Sequence, residues 1–469
     1  MNPAVLDELR AALGAGGYSD DPSLIEPRLW DHRRRYHGAS AFLAQPATPQ
    51  QVAAVVGICA KHRVGIVPQG GNTSYCGGAT PDASGTQLLL SLHRLKRIRR
   101  VDPQGFNLIA EAGCTLQEVQ EAAAGVGLLF PLSLGSQGSC QIGGNLSTNA
   151  GGTAVLRYGV MRDLTLGVEA VLPDGRIVNQ LNSLRKDNTG YDIKQWFIGA
   201  EGTLGIITAA CLKLFPQPAA HATAFVAVAD LDAAVGLLSA LRARLGDSLV
   251  AFEVMPRAAL ELALQHISGV SDPLGAPQPW YVLCETALYA REAGGEEAMT
   301  TALHELVQRG VVLDAVLAGS DSQRLALWHI RENIPAAQTR EGASIKHDVS
   351  LPIAAIPAFV RSAGDAVQGR VPGARLIAYG HLGDGNLHFN FSPPPGGDSA
   401  AFAARNEEVT RLVHDEVAAH GGSFSAEHGV GQSKVADLRR YEDPVALDLM
   451  RQLKRALDPL NIMNPGKVL

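Results

Sequence analysis

The sequence predicts an α+β fold of two unlike parts, and three observations carry that expectation. Two glycine-rich loops, each following a short apolar run, fall in the first half of the chain; strand and helix patterns alternate from residue 218; and helical spacing marks Phe402–His420 and Pro444–Leu457 near the C-terminus. The expected divisions are an N-terminal helical segment over 1–35, a ligand-binding part over 36–217, a second α+β part over 218–425 and a C-terminal segment over 426–469.

With 469 residues and 46% hydrophobic content, the chain is long enough for two or three cores. Net charge is −6 and basic residues are scattered, apart from short runs such as His32–Arg35 and Arg94–Arg100. A basic stripe of the kind that nucleic acid requires is missing. No apolar run approaches the ~18 residues of a membrane span, and MNPAVLDELRAALG reads as an amphipathic helix rather than a signal peptide. The expected compartment is therefore the cytoplasm, with peripheral membrane docking as the alternative. The six cysteines show no CxxC spacing and are expected as buried or free thiols.

Taken in order, Pro49–Arg63 places Val52, Val55, Val56 and Cys59 at helical spacing. A strand over Gly65–Pro68 runs into QGGNTSYCGG, and Leu88–Leu92 and Asn107–Ala112 read as further strands, so both glycine loops are expected to hang from one sheet system. Thr115 and Glu118 form a capping box. Thr165–Val178 carries a Pro-Asp-Gly turn between apolar arms, a hairpin signal. Beyond Pro216 the strands and helices alternate to Phe391, suggesting a domain of two related halves, and Phe402–His420 and Pro444–Leu457 are helical.

The second loop, Pro131–Gly152, reads PLSLGSQGSCQIGGNLSTNAGG: six glycines among five hydroxyl residues, two asparagines and no charge. Glycine lets backbone approach a ligand, and successive N–H groups in such turns form anion-binding concavities. The stretch is read as a flavin-cradling loop that holds a pyrophosphate without Lys or Arg. The dinucleotide fingerprint GxGxxG with its downstream acid is absent, as is a GxxxxGK[ST] loop.

A second chemical cluster is YGHLGDGNLHFN over Tyr379–Asn390, with Ala426-Glu427-His428-Gly429 downstream. A tight Gly-Asp-Gly-Asn turn would bring His381 and His388 together from two arms. Two imidazoles and a carboxylate form a transition-metal set that leaves positions open for a substrate oxygen.

The two loops together with GAEGTLGIIT at 199–208 look like the PCMH-type FAD-binding domain of the vanillyl-alcohol oxidase superfamily, and the rest of the chain resembles its D-2-hydroxyacid dehydrogenase branch, from about residue 36 to the terminus. The resemblance implies FAD held non-covalently, with Pro68, Gly70, Gly71, Asn72, Thr73 and Gly77 on one side of its phosphates. Pro131, Ser136, Gly138, Ser139, Gly143, Gly144, Asn145, Thr148, Asn149 and Gly151 lie on the other side. Ile206 and Ile207 are placed near the adenosine, and Asn464 near the isoalloxazine. It also implies a divalent metal on His381, His388 and Glu427, zinc first and manganese or iron as alternatives. His428 is placed as the base, with a role as a neighbouring hydrogen-bonder kept open. Arg331, Lys346 and Asn390 are placed at the substrate.

Oxidising a secondary alcohol needs a base, an electrophile for the oxygen and a hydride acceptor, and His, a metal and FAD N5 supply these. An α-carboxylate needs a cation, which suits arginine. Where some relatives carry a hydroxyl residue four positions after the arginine, this chain has Pro335, leaving D-2-hydroxyglutarate, D-malate and D-lactate in competition. Glycolate-oxidase-like chemistry, a zinc hydrolase, an inactive flavin-binding protein and a direct oxidase are the other readings. The expected acceptor is an electron-transfer flavoprotein or a quinone, and a homodimer is expected by analogy.

Overall fold

Hydrogen-bonded caps and buried apolar stripes set most element boundaries in this computed structural model, which describes residues 2–289 and 295–469. Met1 of the N-terminal stretch and residues 290–294 of the second part lie outside the described residues. The chain forms an α+β fold of two units: residues 1–152, 159–217 and 427–469 make the first, and residues 153–158 and 218–426 the second.

In the first unit the N-terminal helix Pro3–Leu13 buries Val5, Leu9 and Leu13. Thr48 caps the helix Pro49–His62, its side chain accepting from Gln51 N at 3.2 Å, and Val52, Val55, Val56 and Cys59 face inward. A four-stranded sheet follows the order Tyr18–Ser19, Leu43–Ala44, Leu88–Ser91, Ile66–Gln69, with the last two pairings parallel. A separate five-stranded antiparallel sheet has the order Ile98–Asp102, Asn107–Glu111, Ile206–Lys213, Thr165–Val171, Ile177–Asn179. The last two of these strands are the arms of the expected Pro-Asp-Gly hairpin. The Thr115–Glu118 capping box forms in full and opens the helix Leu116–Ala124.

One sequence expectation is corrected here. The first glycine loop leaves the Ile66–Gln69 strand of the four-stranded sheet, whereas the second follows Leu128–Leu129, which pairs only with Phe215–Pro216 in a two-stranded ribbon. The loops therefore hang from different sheets. The second is also not loop throughout, since Ile142–Ser147 is helical; Gly143 N donates to Ala112 O at 2.8 Å, tying that turn to the five-stranded sheet. The C-terminus returns to the first sheet, where Ile66 N donates to Ile462 O at 2.7 Å and Asn464 N to Ile66 O at 2.8 Å.

The second unit holds an antiparallel four-stranded sheet, Leu249–Pro256, Trp280–Leu288, Ala220–Val228, Asp314–Leu317, and a three-stranded sheet, Ile345–Ser350, Asn386–Ser392, Arg375–Tyr379. Reciprocal bonds between Val254 and Gly380, at 2.8 and 2.9 Å, join the two sheets edge to edge. The expected two related halves correspond to sheets of unequal size, four strands and three. The helices Leu231–Leu245, Arg257–His266 and Ile356–Arg370 bury apolar faces in this unit. The long C-terminal helix of this unit is broken at Arg405 into Ser399–Ala404 and Asn406–Ala419. All six cysteines are buried thiols outside any disulfide.

Candidate active site

In the first unit the two glycine loops meet. A Cβ on Gly71 would stand 1.9 Å from Ser139 O, and one on Gly70 would meet the Gln141 side chain and Gly144 N at 3.5 and 3.6 Å. Only glycine permits the Gly71 approach. Pro68 lies in the preceding strand, one residue before its end; Asn72, at φ 55°, donates its side-chain N–H to Trp30 O at 2.8 Å, and Thr73 is half-buried in the same turn. Gly77 lies against Gln432 and Tyr36.

On the facing loop, Pro131 and Gly151 are buried, and Ser136 O takes the N–H groups of Ser139 and Cys140, each at 2.8 Å. Gly138 faces Gln117, and Gly143 abuts Ala112, while Gly144 has open space where a Cβ would be. Asn145 is buried in the short helix, Thr148 closes it by donating to Gly144 O at 3.1 Å, and Asn149 accepts from Arg162 N at 2.9 Å. Ile206 and Ile207 begin the central strand of the five-stranded sheet and are buried. Asn464 donates to Gly78 O at 2.9 Å and Glu201 O at 2.8 Å, and its buried Oδ1 has no hydrogen-bond partner. The buried Gln141 Oε1 is orphaned in the same way.

Also in the first unit, His428 meets the Tyr75 ring edge-on at 4.7 Å between centroids. The backbone just after it is fastened by groups that the sequence did not single out. Glu201 accepts from Val430 N at 2.7 Å and Gly431 N at 2.8 Å, and Cys76 donates to Gly429 O at 3.4 Å while its own carbonyl takes Gln432 N at 2.9 Å. Burial raises the Glu201 carboxyl above its ordinary value, against the pull of those two N–H groups.

In the second unit the Tyr379–Asn390 stretch forms the expected hairpin. His388 lies in the Asn386–Ser392 strand opposite Tyr379, and His381 sits in the turn, with ring nitrogens of the two histidines within 4.8 Å of one another. Gly385, at φ 88°, allows the turn to pack where a Cβ would stand 2.4 Å from Leu351 O. Asp348 stands opposite His388, 4.0 Å from its Nδ1, and is held by Asn386 Nδ2 at 2.9 Å. Burial pushes Asp384 up to about 6.

Glu253 organises this site. Its two carboxylate oxygens take His381 Nδ1 and Arg331 Nε, each at 2.6 Å, and it is 1% exposed. Burial alone would push its pKa up, but His381 and Arg331 outweigh burial and hold it at about 2. Arg331 comes from the helix Asp321–Glu341 and also lies over the Tyr379 ring at 5.0 Å. Two turns along that helix the buried Gln338 accepts from Asn390 Nδ2 at 3.0 Å and Tyr379 OH at 3.4 Å. Asn390 Oδ1 also accepts His347 N at 3.1 Å, so this asparagine braces the strand pair, and Lys346 lies opposite it on the Ile345–Ser350 strand. Pro335 is exposed. A lone glutamate in the apolar run LVAFEVM was the one sequence signal for Glu253.

Glu427, the first residue of the first unit's C-terminal stretch, is one peptide bond beyond Ala426, whose N–H donates to Asp348 O at 3.2 Å.

Residues 40–180 match the FAD binding domain family and residues 217–468 the family of FAD linked oxidases, C-terminal domain. D-2-hydroxyglutarate dehydrogenase of Xanthomonas citri pv. viticola is 36% identical over 467 residues, covering 100% of this chain and 97% of that protein. The mitochondrial D-2-hydroxyglutarate dehydrogenase of Bos taurus is 40% identical over 451 residues, covering 96% and 80%. The chain belongs to the FAD-linked D-2-hydroxyacid dehydrogenases. It is therefore an FAD-dependent oxidoreductase. At the level of fold, p-cresol methylhydroxylase with substrate bound matches 99% of this chain and 96% of its own at TM-score 0.77 and 18% identity.

The residues of this dehydrogenase fit the flavin. The open space at Gly144, the loop approach at Gly71 and the orphaned Gln141 and Asn464 oxygens provide backbone N–H groups and polar atoms in want of a partner. The His381 donor set would fit a divalent cation as well, because a carboxylate at Nδ1, here Glu253, is the partner that a metal-binding imidazole commonly keeps.

Proposed function

We propose that this dehydrogenase oxidises D-2-hydroxyglutarate to 2-oxoglutarate, with D-malate as a second substrate, and passes its electrons to an electron-transfer flavoprotein or a quinone. D-Lactate is the competing choice. The observation that carries the reading is the Glu253 bridge, because one carboxylate fixes both a metal-type imidazole and the arginine suited to an α-carboxylate. The names and identities of the relatives support the same substrate. The further expectations are a homodimer in the cytoplasm; the relative from Bos taurus carries "mitochondrial" in its name, and among the described residues no helix is long and apolar enough to cross a membrane.

When bound, FAD accepts a hydride at N5, and a divalent cation on His381, His388 and Glu427, zinc first, acidifies the substrate hydroxyl. The chain's own residues do the rest. Arg331 and Lys346 pair with the α-carboxylate and fix which face of the carbon is presented. His428 takes the hydroxyl proton as hydride leaves the carbon, so proton and hydride depart together as the ketone forms. The Tyr75 edge holds the His428 ring in plane, and Glu253 keeps the Nδ1 proton on His381.

His381→Ala and Glu427→Ala are expected to keep bound FAD, lose the metal and lower turnover by about 100-fold or more. Metal analysis, the flavin spectrum and steady-state rates check this together. Full turnover in metal-free protein contradicts the metal role.

A further inference from the structure

The basic run His32–Arg35 has no part in the reading above, and the structure separates its members. Buried Asp31 accepts the backbone N–H groups of Arg33, Arg35 and Tyr36 at 3.1, 2.6 and 2.7 Å, which shapes the turn and leaves the arginine heads to other partners. Arg34 and Arg35 are exposed. Arg33 is half-buried, its Cζ 3.9 Å from the centroid of the Tyr75 ring. Among the described residues no carboxylate makes an ion pair with its guanidinium; burial, and after it the neighbouring Arg35, push its pKa down against a smaller pull from Asp31. A cation taken out of water without a direct ion pair is costly unless an anion comes to it.

Its place says which anion. The same Tyr75 ring that carries Arg33 on its face meets His428 at its edge, so the guanidinium and the proposed base are separated by one aromatic ring. The closest approach of this loop to the second glycine loop lies elsewhere, at Gly70 and Gly71 against Ser139–Gly144. Resting on the assignment of His428 as base for a 2-hydroxy acid, we propose that Arg33 binds a second carboxylate at the far end of the substrate and makes the enzyme selective for 2-hydroxy dicarboxylic acids. Arginine's planar fork pairs a carboxylate through two parallel N–H bonds, while its stacking on Tyr75 holds that fork still.

The test uses the holoenzyme and its Arg33→Gln and Arg33→Lys variants, reduced anaerobically by D-2-hydroxyglutarate and by D-2-hydroxyvalerate, the same five-carbon chain without the second carboxylate. Arg33→Gln is expected to lower the ratio of kcat/KM for the dicarboxylate over the monocarboxylate at least tenfold, chiefly through KM, with unchanged FAD content. Arg33→Lys recovers part of the loss. An unchanged ratio, or equal losses on both acids, overturns the assignment. Loss of FAD from the variants also overturns it, in favour of a flavin phosphate contact. A wild-type flavin that no 2-hydroxy acid bleaches sinks the functional reading and this assignment with it, whereas a normal wild type with an unchanged ratio sinks the assignment alone.

Discussion

Glu253 receives a hydrogen bond from His381 on one oxygen and from Arg331 on the other while almost fully buried. Removing one member of such a buried set leaves the others uncompensated, typically at ~3–5 kcal/mol. Glu253→Ala is therefore expected to destabilise the protein by about that amount in denaturant melts and to lose metal affinity as well; a wild-type midpoint contradicts this account. Glu201 acts in the first unit. Its carboxylate spans Val430 N and Gly431 N just beyond His428, and Glu201→Gln would turn an amide N–H toward one of those donors. We expect kcat to fall tenfold or more with FAD retained and KM little changed; an unaltered kcat would show that the segment needs no such anchor. Neither glutamate was singled out from sequence: Glu253 is an isolated acid in an apolar run and Glu201 sits in a glycine-rich turn, and neither context reveals a partner. The meeting of His381 and His388 was legible because the tight turn and its spacing show in sequence, and their ring nitrogens lie within 4.8 Å of one another; the metal role rests on the resemblance.

At the scale of elements, sequence succeeded where a local signal decides the boundary. Leu231–Leu245 runs from the Asp230 cap, which accepts Ala233 N at 2.8 Å, to Gly246 at φ 52°, and both residues announce themselves. It failed at Ile142–Ser147, where two glycines argue against a helix and contact with the sheet overrides propensity. It failed also on sheet membership, since a two-residue strand such as Leu128–Leu129 reveals no partner. One element carries a pH prediction. Glu285 on the Trp280–Leu288 strand is pushed up by burial but pulled further down by His221, Thr223 and Trp328, to about 2 against an ordinary 4.5. Because its folded pKa is depressed, its stabilisation, about 3 kcal/mol, is complete above its unfolded pKa and is lost as pH falls from there toward 2. Denaturant midpoints should therefore drop between pH 5 and pH 2, and Glu285→Gln should flatten that drop; an equal slope in both proteins refutes the assignment.

For the whole molecule, the glycine loops, the hairpin histidines and the returning C-terminal stretch make sense together only as a flavoenzyme acting on an anionic alcohol. A hydrolase would need the second unit's imidazoles without the first unit's loop architecture. The central claim is most directly tested by an anaerobic visible spectrum of the purified protein, titrated with D-2-hydroxyglutarate and then with its L form. The account predicts a flavin band that the D acid bleaches at substoichiometric acceptor and the L acid leaves intact. A yellow protein that neither acid bleaches, or one that the L acid bleaches equally, would contradict it.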